Sequence, residues 1–145
     1  MFFSADDILL ELSGAFRNEQ CQNSKNVGLK KSIDYIYANF KNGTIDVSYL
    51  AKIACISESH FRKLFKQIYG ISPNKYITNL RLEYAAQLLK GNYYRVNEVC
   101  YKSGFNDTKY FIKLFKNKYG TTPKKYQNVC VENLKDWLIN SSVQN

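Results

Sequence analysis

Two prolines, one histidine, one tryptophan and one methionine are all that 145 residues contain of these types. With His60 as the single histidine there is no Ser/His/Asp or Cys/His set, and neither a glycine-rich phosphate loop nor clustered carboxylates occur, so the chain does not read as an enzyme. The four cysteines, Cys21, Cys55, Cys100 and Cys130, lie 30 or more residues apart without a CxxC pair; no zinc site assembles from that spacing, and no metal or cofactor is expected. Cys55 and Cys100 fall in helical apolar patterns and read as small buried thiols of a reducing cytosol. The opening MFFSADDILL lacks a basic flank, and Asp6 and Asp7 break its apolar run, which excludes a signal peptide or membrane span and points to a cytoplasmic protein.

Acid is scarce as well. Asp and Glu number 12 against 21 Lys and Arg, for a net charge of +9. The excess is concentrated, since residues 29–126 hold 18 basic against 6 acidic residues. A polyanion is the partner that such a segment calls for.

Both prolines mark the ends of a repeat. Residues 57–76, SESHFRKLFKQIYGISPNKY, and 107–126, DTKYFIKLFKNKYGTTPKKY, share ten of twenty positions at a constant offset of 50. One supersecondary unit is used twice, so function is sought in what each copy presents.

Nearly every segment carries a helical period and none a sustained strand alternation, so the fold class is all-α. Ser4 and Asp7 resemble a capping box before Ile8, Leu9, Leu12 and Phe16, predicting an N-terminal amphipathic helix; the polar stretch from Asn18 to Asn26 reads as a linker, the two making up residues 1–28. Ile33, Ile36, Tyr37 and Phe40 form the next helical stripe. Asp46 caps a short helix bearing Val47, Leu50, Ala51 and Ala54, and Ser57 caps the following one, with Phe61, Leu64, Phe65 and Ile68 inward and Ser59, Arg62, Lys63 and Lys66 on the opposite face. Gly70 closes this first helix-turn-helix unit, residues 29–72.

Ser72-Pro73 opens a connecting helix, 73–90, with Tyr76, Ile77, Leu80, Tyr84, Leu88 and Leu89 apolar; its 18 residues span roughly 27 Å. Residues 91–128 repeat the unit, with Val96, Val99 and Cys100, then Phe111, Leu114, Phe115 and Tyr119 inward and Lys109, Ile112, Lys113 and Lys116 outward. Arg95 replaces the capping Asp46, so the short helix behind it is expected to fray. The paired phenylalanines, Tyr76 and Tyr126 read as packing residues, as does His60, in a partly buried position. The tail, 129–145, is expected to be a further helix docked through Val129, Leu134, Trp137 and Leu138.

The order LA-x5-S-x3-F-x2-LFK, G-x-SP-x2-Y, R-L-x2-A-x2-LL from Arg81 to Leu89, and GF-x-D-x2-YF-x2-LFK-x3-G-x-TP-x2-Y resembles the DNA-binding domain of AraC/XylS transcription regulators over about 100 residues, Val27 to Gln127. The resemblance implies sequence-specific binding of double-stranded DNA in bacterial transcription regulation, activation included. Recognition helices at about 58–69 and 107–119 would enter successive major grooves about one helical turn, 34 Å, apart. Carried over by position, Ser59, Arg62 and Lys63 of the first copy and Lys109, Ile112 and Lys113 of the second are base-reading candidates; Lys66, Lys75, Lys116, Lys124 and Lys125, with the backbone N–H groups at the helix starts, suit phosphates. The alternative is a sequence-indifferent basic nucleic-acid-binding module. RNA polymerase is a further implied partner. Residues 1–28 are too few for an effector-binding or receiver domain, so a piece of a longer regulator is expected ahead of a stand-alone member.

Overall fold

The computed structural model describes residues 19–143, with side chains from Val27 onward. Among the described residues there are seven helices and no strand: α1 Glu19–Asn39, α2 Val47–Ile53, α3 Glu58–Tyr69, α4 Pro73–Gly91, α5 Val96–Lys102, α6 Thr108–Tyr119 and α7 Pro123–Val143. The all-α reading and both predicted recognition helices hold. The described residues form two compact units, one of residues 19–40 with Thr44–Thr78, the other of Lys41–Gly43 with residues 79–143. Helix α4 contributes its first residues to one and the remainder to the other.

Local chemistry sets the boundaries. Asp46 accepts from the Ser48 N–H at 2.9 Å and the Ser48 hydroxyl at 2.6 Å, which fixes the start of α2 and holds its carboxyl below the usual range. The Ser57 hydroxyl accepts from the His60 N–H at 3.3 Å to start α3. Gly70 and Gly120 end α3 and α6 at φ 75° and 74°, left-handed positions that a side chain would strain. Pro73 and Pro123 then open α4 and α7, where the Ser72 and Thr122 hydroxyls each accept from the N–H three residues on, at 3.3 Å.

In the first unit the core is Leu29, Ile33, Ile36, Val47, Leu50, Ala51, Ala54, Phe61, Phe65 and Ile77. Helix α1 lies close on α2 because Gly28 has no side chain: a Cβ there would sit 2.7 Å from the Ala54 carbonyl oxygen and 2.9 Å from its Cα. The buried Ser32 hydroxyl donates to the Leu50 carbonyl at 2.8 Å, satisfying both groups at that contact. Against Phe65, Tyr69 lies tilted at 4.5 Å and Tyr76 stands edge-on at 5.3 Å.

The second unit repeats this. Phe115 meets Tyr119 at 4.5 Å and Tyr126 edge-on at 5.4 Å, within a core of Leu82, Ala85, Ala86, Leu89, Val99, Cys100, Phe105 and Phe111. Where the first unit buries Ile77, the second buries Gln127, whose amide donates to the Tyr94 carbonyl at 2.9 Å. The half-buried Arg81 donates to the Gly43 carbonyl, and burial pushes its pKa down.

Several expectations are corrected. The stretch 19–26 is helical, not a linker, since it holds no glycine or proline to interrupt α1; the predicted helix at Ile8–Phe16 lies outside the described residues. Leu82, Ala85 and Ala86 are buried on α4, which is apolar on more sides than one stripe, while Leu80, Tyr84 and Leu88 are half-buried. Cys100 is buried, but Cys55 is exposed at φ 57°, because the turn after α2 needs a left-handed residue, supplied by Gly104 at φ 92° in the second unit. The Arg95 side chain makes no capping hydrogen bond at the start of α5, as expected, but the Arg95 N–H donates to the Glu98 carboxylate at 2.7 Å. The tail is not a separate docked helix. With no glycine or proline after Pro123, α7 continues to Val143, and Val129, Leu134, Trp137 and Leu138 are exposed.

Gly28→Ala is expected to destabilise the protein by about 1–3 kcal/mol, since the methyl would push on backbone. In an unhindered helix interior the same change stabilises by about 0.5–1 kcal/mol, so the sign of the shift in thermal unfolding decides the matter.

Candidate nucleic-acid interface

Helices α3 and α6 each bury one row and expose the other. Phe61 and Phe65 are fully buried, as are Phe111 and Phe115, and this fixes which residues face solvent. Ser59, Arg62, Lys63 and Lys66 are exposed on α3, and Lys109, Lys113 and Lys116 on α6. Lys75 follows the start of α4, and Lys124 and Lys125 that of α7; all three are exposed. Among the described residues none of these lysines is paired with a carboxylate, so each unit presents uncompensated positive charge on the helix that follows its turn.

Three candidates stand differently from expectation. Ile112 is half-buried and packs against the second unit's core, because it directly follows Phe111 and shares its apolar surroundings; only part of it remains to meet a ligand. His60 is exposed instead of partly buried, its backbone N–H capped by Ser57. The start of α6 is closed to a phosphate at the N–H groups of Lys109 and Tyr110, which donate to the Asp107 carboxylate at 2.8 and 3.2 Å.

Other residues escaped sequence reasoning. Gln67 and Asn117 occupy equivalent exposed positions one turn beyond Lys63 and Lys113, and spacing alone identifies them, since residues four apart share a helix face. Ser57, Ser59, His60, Lys63, Leu64 and Gln67 line a shallow depression along α3. Tyr110 is exposed at the position matching His60. Glu58, in the first turn of α3, forms an ion pair with Arg62 at 2.7 Å. Lys118 is held by Glu83 at 3.0 Å.

The arrangement is suited to a long anionic ligand with readable edges. A helix fits the major groove, where arginine and lysine donate to guanine O6 and N7 and glutamine or asparagine pair with adenine. Among the described residues no group of three metal-ligating side chains occurs, and no helix is long and apolar enough to cross a membrane.

Comparison with known proteins agrees with this geometry. A helix-turn-helix domain family matches residues 50–128, more than half of the chain. The lactose operon transcription activator of Staphylococcus xylosus is 33% identical over 86 residues, covering 59% of this chain; the chain spans only 30% of that activator's length. An AraC-type transcriptional regulator from Chromobacterium violaceum superposes with a TM-score of 0.64 at 25% identity, covering 71% of this chain and 91% of that one. The DNA-binding domain of the global transcriptional factor AdpA, solved with a target DNA, superposes with a TM-score of 0.65 at 25% identity over 70% of this chain and 90% of its own. Carrying two copies of the unit that these proteins share, the chain belongs to the AraC-type helix-turn-helix family.

Proposed function

We propose that the protein binds double-stranded DNA at defined sequences and thereby regulates bacterial transcription, with α3 and α6 entering successive major grooves. The observation that carries this reading is the duplicated one: a helix held by a buried aromatic row exposes unpaired cations after a short turn, twice. The solved DNA complex of the AdpA domain supports it. Ser59, Arg62 and Lys63 read bases in the first box and Lys109 and Lys113 in the second, with Ile112 limited to an apolar contact such as a thymine methyl. Lys66, Lys75, Lys116, Lys124 and Lys125 hold phosphates and set the register. The protein acts without catalysis, in the cytoplasm, and RNA polymerase is the protein partner that transcriptional control implies.

Replacing Arg62 or Lys113 with Ala is expected to cost about 1–3 kcal/mol on a site selected from a random pool and little on unrelated duplex. Equal losses on both DNAs would assign these residues to phosphates. Binding that is equal across unrelated duplexes from the outset would favour a sequence-indifferent module.

Affinity is also expected to fall steeply with salt, and Lys66→Ala or Lys116→Ala to flatten the slope of log affinity against log salt by about one unit, as loss of one phosphate contact requires. A slope unchanged in both variants would remove these lysines from the interface.

A further inference from the structure

The first reading helix carries an acid on its exposed side where the second does not. Arg62 donates from both Nε and Nη2 to the same oxygen of Glu58, Oε1, at 2.9 and 2.7 Å. Two bonds to one oxygen fix the guanidinium plane and leave its Nη1 edge free to donate. Among the described residues Oε2 of Glu58 takes no hydrogen bond. At the matching positions of α6 stand Thr108 and Ile112, which cannot form such a pair.

An acid facing a polyphosphate weakens binding to every sequence alike, unless base edges offer it donors that repay the repulsion. The major-groove donors are the amino groups of cytosine N4 and adenine N6, while a guanidinium takes guanine O6 and N7. We propose that Glu58 is a specificity-determining residue of the first box. It orients Arg62 toward guanine while Oε2 accepts from a neighbouring cytosine or adenine amino group and rejects bases that present an acceptor there. This rests on the DNA-reading assignment above.

The test is selection from a random duplex pool by the full chain and by its Glu58→Ala and Glu58→Gln variants, with titration on the wild-type site and on random DNA. Glu58 is exposed and outside the core, so both variants are expected to fold, which circular dichroism checks. In Glu58→Ala, base preference at one or two adjacent pairs of one box falls about tenfold, the magnitude of one good base contact, while the other box is unchanged and affinity for random DNA rises. Glu58→Gln, which can still hydrogen-bond but carries no charge, retains part of the preference. Unchanged preferences with uniformly tighter binding would overturn the proposal and leave Glu58 as a helix-start acid. A wild-type pool without any enriched sequence would overturn the DNA-reading assignment itself, and the role of Glu58 with it.

Discussion

A helix of twelve residues is marginal in water by itself, so the rotation of α3 and α6 about their own axes is fixed by the aromatic rows they bury. Phe65 is clamped between Tyr69 and Tyr76, and Phe115 between Tyr119 and Tyr126, with centroid separations that match between the copies, 4.5 Å in both for the first contact and 5.3 against 5.4 Å for the second. Rings at these distances prefer tilted and edge-on arrangements, which resist rotation as well as separation. The left-handed glycine after each helix lets the chain turn back so that the second tyrosine reaches the cluster. Which cations face outward depends on this inward constraint.

The same frame tolerates differences between its copies. The turn after α2 spans residues 54–57 and that after α5 spans 103–107, one residue longer, yet both pass through a left-handed position. Cys55 takes that conformation at the steric cost that Gly104 avoids. A buried isoleucine in one copy becomes a buried, hydrogen-bonded glutamine in the other. The outward rows diverge further, through Glu58 with Arg62 against Thr108 with Ile112, so the same helix presents different outward chemistry in the two copies.

What was legible in the sequence was local or periodic. Caps at Asp46, Ser57 and Asp107, stops at Gly70 and Gly120, and the proline starts all stand where short-range chemistry places them. The rows of Phe61, Phe65, Phe111 and Phe115 follow from helical period. What escaped depends on partners distant in sequence or on competition between rules. The close approach at Gly28 needs Ala54 opposite it, and the Ser32 bond needs the Leu50 carbonyl, neither of which composition reveals. Cys55 followed an apolar pattern into a turn whose backbone needs overrode it. Lysines at 113 and 116 could be placed outward from spacing, but Ile112 showed that an apolar neighbour of a core phenylalanine is drawn partly inward.

In the proposed function each copy reads its own stretch of DNA with its own outward residues. The most direct measurement is the sequence enriched from a random pool by the wild-type chain, compared with that enriched by the Lys109→Ala, Lys113→Ala double variant. Two unlike boxes in fixed order and without palindromy are expected for the wild type, and loss of information from one box alone in the variant. A palindromic site, or the simultaneous loss of both boxes, would contradict it.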